Sequence, residues 1–115
     1  MSERSISMYL ADMLEAIDRI CEYTSKLTYS SFSENEMVVD AVLRNLEVLG
    51  EAARHVPQTT RNKYSGIPWT SLVGLRNIVI HQYHGVDLEN IWQIARKDLP
   101  PLRKILKAAL DEVPR

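Results

Sequence analysis

Residues 65–87 read SGIPWTSLVGLRNIVIHQYHGVD. SGIPW is a turn signal, Pro68 suits the first turn of a helix and Gly85 suits its end, so residues 69–81 are predicted to be helical. Leu72, Val73, Leu75, Ile78, Val79 and Ile80 cover nearly the whole circumference of that helix. Such a helix is expected either at the centre of a bundle or covered on its outer face by a second copy of the chain. Arg76 and Asn77 interrupt the apolar run. A buried guanidinium or amide is strongly unfavourable without a partner, so the pair calls for an anion, a carboxylate or a water-filled cleft.

Working outward, Ile6, Tyr9, Leu10, Met13, Leu14, Ile17, Ile20 and Cys21 recur at three- and four-residue spacing, which predicts an amphipathic first helix. Ser33 and Glu36 fit an S-x-x-E capping box with Phe32 and Met37 as a hydrophobic staple, which predicts a second helix over 34–55, stopped by Pro57. TTRNKY has room only for a short helix or turn. Past Gly85, Asp87 is an N-cap candidate, with Val86 and Ile91 as a second staple, for a helix LENIWQIARKDL. Pro100 and Pro101 then open or kink a last helix, PLRKILKAALDEV. No alternating strand pattern appears. The fold class expected is all-α, an antiparallel four- or five-helix bundle forming a single domain over residues 1–115. Gly50 and Gly74, each costing about 1 kcal/mol relative to Ala within a helix, suggest close backbone approach.

The composition agrees with an ordinary soluble domain: 45% hydrophobic and 25% charged residues in 115. No apolar run has the length of a membrane span and MSERSIS lacks the pattern of a signal peptide, so no membrane association and a cytoplasmic location are expected. Cys21, the single cysteine, lies on the apolar stripe of the first helix and reads as a core residue rather than a nucleophile. With a net charge of −1 there is no global basic field, and contact with nucleic acid would depend on local clusters. Arg96, Lys97, Arg103, Lys104 and Lys107 form one candidate; Arg54, Arg61 and Lys63 form another. For both, a solvated helix face is the favoured reading.

Asn77 and His81 are four residues apart, about 40° around a helix, and share a face. Arg76 and His81 are five apart, about 140°, so they converge only if the guanidinium wraps, the helix ends at His81, or a partner chain closes the gap. In a symmetric dimer Arg76 and His81 of both chains would line one cleft. A structural reading stays open beside this, with Arg76 paired to a carboxylate such as Glu47 or Glu51 and His81 as a helix-end cap. A metal centre at His81, His84 and Asp87 has too few ligands in a chain with three histidines and one cysteine, and neither metal nor cofactor is expected. What an Arg and a His can do together is cleave a phosphodiester. The imidazole moves a proton, the guanidinium holds the charge that develops on the phosphoryl oxygens, and Asn77 supports one or the other. No P-loop, G-x-S-x-G, H-E-x-x-H or D-x-D pair competes with this site.

The run from Arg76 to Tyr83 fits R-x4-H-x-Y and resembles the HepT toxins of the HEPN superfamily. The similarity extends over YLADMLEAIDRI, AVLRNLEVLGEAA, IPW and IWQIARKDLPPL. The resemblance implies an HEPN-like all-α homodimer acting as a metal-independent RNase on an RNA substrate, with Arg76 and His81 as the catalytic positions. It also implies a toxin–antitoxin pair, in which a cognate minimal nucleotidyltransferase of the MntA kind adds AMP to Tyr83. Where relatives often carry an acid between His and Tyr, this chain has Gln82, which bears on the protonation of His81. The alternative is a non-catalytic helical module that binds nucleotides or serves as an adaptor for the nucleotidyltransferase.

Overall fold

A computed structural model describes residues 5–83 and 87–114, with Tyr83 described in its backbone only. Among these residues every regular element is a helix. Helix α1 spans Ile6–Thr24 and its apolar stripe is buried as predicted, with Leu10, Met13, Ile17 and Ile20 fully enclosed. Ser5 caps it by accepting the Met8 N–H.

The predicted capping box at Ser33 and Glu36 is not formed. A short α2, Tyr29–Glu34, precedes α3, Glu36–Arg54; Ser33 lies inside α2 and its hydroxyl donates to the Ser30 carbonyl. The box instead belongs to Thr28 and Ser31 at the start of α2, and Asn35 caps α3 by accepting the Val38 N–H. Met37 is 82% exposed while Phe32 is enclosed, so they form no staple. A free Asn between two helical segments outcompeted the serine because its amide oxygen reaches the N3 donor of the longer helix.

TTRNKY falls in α4, Gln58–Lys63. The predicted helix over 69–81 is two: α5, Trp69–Val73, and α6, Leu75–Tyr83, meeting at Gly74. Beyond it, α7, Leu88–Gln93, begins on Asp87 as expected, its carboxylate accepting the Asn90 N–H. The second staple involves Val86, which with His84 and Gly85 lies outside the described residues. Rather than breaking, the chain passes from α7 through one π turn, Ile94–Asp98, into α8, Leu99–Glu112. The cause is Pro100 and Pro101 in the first turn of α8, which lack donors and would press on the carbonyls four residues earlier; the wider π turn gives them room.

Helix α1 packs chiefly on α3 and, on its other flank, on α8 and the π turn, while α5 and α6 lean on the far side of α3. The directions alternate. Tyr9 at the start of α1 stacks on His55 just past α3, 5.1 Å between ring centres, and Thr24 and Asp18 of α1 meet Arg96 and Arg103 in that order. The result is an antiparallel helical bundle. Gly50 is a point of close approach: a Cβ there would sit 3.0 Å from the Leu72 carbonyl and 3.6 Å from the Arg76 nitrogen. Gly74 is not, since a Cβ would meet only carbonyls of its own preceding turn at 3.4 Å.

Candidate functional site at the outer face of α6

The close approach at Gly50 presses the first turn of α6 onto α3, and Leu72, Leu75 and Val79 are buried there. The opposite face is therefore turned outward. Arg76, Asn77, Ile80 and His81 are all exposed, with Ile80 48% accessible. Of the two arrangements expected for this helix, the central one does not hold: within the chain α6 has an open outer face, and Arg76 and Asn77 lie on it. Within one chain the apolar circumference is split, one side in the core and the other open.

Among the described residues Arg76 has no carboxylate partner. The structural pairing with Glu51 is excluded by the neighbours of that acid, which accepts hydrogen bonds from Arg54 at 2.9 Å and lies 2.9 Å from the His55 imidazole. These two hydrogen bonds hold the Glu51 carboxyl down to about 2. Glu47 lines a separate groove between α1 and α3, beside Tyr9 and Arg44.

His81 stands in the last turn of α6. It lines a recess of about 130 Å³ with Ile78, Gln82, Asp87 and Asn90. The Gln82 carboxamide oxygen accepts the Asp87 N–H at 2.9 Å and so ties the end of α6 to the cap of α7. A neutral amide does this, which leaves Asp87 as the one carboxylate in the recess. Asn77 and His81 share the open face, but no hydrogen bond joins them, and neither Arg76 nor Asn77 lines the recess. In the sequence Asp87 reads as an N-cap and as a poor third metal ligand beside His81 and His84, and Asn90 carries no role. The signal available was the start of α7 so soon after His81, which turns the first residues of the new helix back toward the imidazole.

Most of the basic residues singled out in the sequence are engaged structurally. Arg61 donates to the carbonyls of Ala53, Arg54 and Val56, satisfying the end of α3. Arg103 pairs with Asp18, Lys107 with Asp111 at 3.1 Å and Lys63 with Glu112 at 3.7 Å. Arg96 reaches Thr24 and lies over the Trp92 ring. Among the described residues Lys97 and Lys104 are left without an anion. Burial pushes the half-buried Cys21 thiol above its ordinary range, outweighing the nearby Arg96, which keeps it protonated and unreactive. No group of three or more His, Cys, Asp or Glu side chains among the described residues is placed to hold a metal ion. His84, weighed with His81 in the sequence as a metal ligand and set aside, lies outside them. Among the described residues no helix is long and apolar enough to cross a membrane.

Comparison with known proteins gives these positions a context. The model of the family described as "Ribonuclease HepT-like" matches residues 13–109, a span that includes Arg76, His81 and Tyr83. The chain is 40% identical over 104 residues to a Methanocaldococcus jannaschii protein named "Putative RNase MJ1380", covering 90% of this chain and 95% of that one. A second protein of the same organism, "Putative RNase MJ1216", is 37% identical over 113 residues, covering 98% and 93%. A Thermococcus cleftensis protein named "Probable ribonuclease HepT" is 35% identical over 101 residues, covering 88% and 92%. No solved structure matches.

Proposed function

The chain belongs to the HepT-like ribonuclease family, and from that premise we propose that it is an endoribonuclease, the toxin of a toxin–antitoxin pair, whose reaction needs no metal. The observation that carries this reading is the outer face of α6. An arginine without a carboxylate partner among the described residues and a histidine in a polar recess stand exposed within one nine-residue helix.

The chemistry follows from these groups. The ribose 2′-oxygen attacks the adjacent phosphorus, the bond to the 5′-oxygen of the next nucleotide breaks, and the products are a 2′,3′-cyclic phosphate and a 5′-hydroxyl. His81 takes the proton from the attacking hydroxyl or gives one to the departing oxygen. Arg76 holds the negative charge that grows on the non-bridging oxygens, and Asn77, on the same open face, supports the phosphate or the imidazole. The protein acts as a homodimer. A cognate minimal nucleotidyltransferase silences it by adding AMP to Tyr83, the last residue of α6.

Incubation of the purified protein with RNA in EDTA tests the core of this reading. Fragments ending in 2′,3′-cyclic phosphate are expected, and His81→Ala should lose about 10²–10⁴ in rate with its helical content and melting temperature unchanged. A preparation inactive on several RNAs, or a His81→Ala protein as fast as the parent, would instead support a non-catalytic binding module.

A further inference from the structure

Helix α6 leans on α3 and makes little backbone contact with α7 or α8 among the described residues. Between them runs a groove of about 540 Å³, within the roughly 300–1,000 Å³ typical of small-molecule sites. Ile78 and Asn90 wall both this groove and the recess of His81, so the two hollows adjoin. We propose that the groove seats the nucleoside flanking the phosphodiester that His81 acts on, and thereby sets which RNA steps are cut. The proposal rests on the nuclease reading above.

The chemistry of the walls favours a nucleoside. The floor is apolar, built by Leu75, Ile78, Ile94 and Leu102, and suits the flat faces of a base. On the rim, Ser71 offers a hydroxyl and Asn90 an amide to the polar edges of a base, and the Asp98 carboxylate accepts from an edge that carries an N–H donor. Lys97 is exposed, free of any carboxylate partner among the described residues, and supplies the one cation on the rim for a neighbouring phosphate. Lys97 and Asp98 both belong to the π turn and both line the groove. An apolar slot with a cation at its lip, opening beside a proton-transfer group, matches a single-stranded nucleotide.

Two exposed positions test it. Ser71→Trp fills the groove, and Lys97→Ala removes the cation without adding bulk. With short oligoribonucleotides that differ only in the base flanking the cleaved step, Ser71→Trp is expected to lower kcat/KM about tenfold and to flatten the base preference of the parent. Lys97→Ala is expected to raise KM several-fold at near-parental kcat and to shallow its salt dependence. Binding of the corresponding 2′-deoxy oligonucleotide, which lacks the attacking hydroxyl, should weaken in parallel by fluorescence anisotropy. A parent that cleaves no RNA overturns the nuclease reading and this inference with it. A parent that cleaves while both folded variants keep its kcat/KM, base preference and binding overturns the groove alone. So does light scattering that shows Ser71→Trp splitting a dimer, since the groove is then covered by a second copy. If Ser71→Trp fails to fold, an unchanged KM and salt dependence in Lys97→Ala is by itself sufficient to overturn it.

Discussion

Glu51 illustrates how the state of one side chain determines what another is left to do. Its carboxyl is engaged by Arg54 and His55 on its own helical turn and held down to about 2, so across the physiological range it stays ionised and committed to them. Arg76, across the contact at Gly50, has no carboxylate partner among the described residues. Position 83 lies seven residues on, two turns along α6 and about 20° away, so an AMP on Tyr83 would place its phosphodiester on the same stripe of the helix as Arg76. The negative phosphate would pair with the guanidinium and the adenosine would cover the approach to it, which opposes RNA entry twice over. Treatment with the partner nucleotidyltransferase, ATP and magnesium is expected to raise the intact mass by whole AMP units and abolish cleavage, and Tyr83→Phe should block the mass gain. An adduct that maps to another residue, or a modified protein with full RNase activity, would refute this regulation. The Tyr83 side chain itself lies outside those described.

The elements show where a sequence is readable and where it is not. Helices α1 and α3 were legible because a stripe of Leu, Ile, Val and Met repeats over several turns, and each additional turn reinforces the pattern. The cap of α3 was misread because Ser33 and Asn35 are both competent caps two residues apart, and only the short α2 decides between them. The π turn carries no local signature beyond the two prolines that follow it. Gly50 and Gly74 were read alike, yet they differ in what lies beyond their Cα atoms, and opposite outcomes follow. Gly74 has ordinary helical dihedrals, φ −70° and ψ −11°, so Gly74→Ala should stabilise the protein by about 0.5–1 kcal/mol through the lost freedom of the unfolded chain. Gly50→Ala must move the Leu72 backbone carbonyl, and Gly50→Val more so, at a cost of about 1–3 kcal/mol typical of overpacking. Thermal unfolding of the three variants measures this directly. A stabilised Gly50→Ala protein would show that α5 and α6 are not pressed on α3 as described. Because that contact also seats the Arg76 backbone, the destabilised variants should lose RNase activity as well, and Gly74→Ala should retain it if the bend there is not required.

At the scale of the whole molecule, the geometry of α6 sets a problem that one chain does not solve. Arg76 and His81 are both exposed, but five residues of continuous helix separate their directions by about 140°, and the recess of His81 does not include Arg76. The angle was legible in the sequence from spacing alone; the exposure was not, because an apolar circumference looks the same whether its outer side is covered by the same chain or by another. Ile80, half exposed between the two polar groups, is the remainder of that circumference. In the proposed homodimer, a two-fold pairing of α6 with its copy would cover Ile80 and would bring Arg76 of one protomer toward His81 of the other, giving two composite sites. Light scattering at micromolar concentration is therefore expected to give about twice the chain mass of 13.2 kDa. Arg76→Ala and His81→Ala proteins, each inactive alone, provide the sharper measurement. After unfolding and refolding together, half the dimers are mixed, and each mixed dimer holds one site with both groups intact and one with neither. Activity should return to about a quarter of the parental value if the sites are shared between chains, and should stay near zero if each chain carries its own. A protein that remains monomeric while cleaving RNA would rule out the shared site, and would require the Arg76 side chain to wrap around α6 to reach the phosphate held at His81.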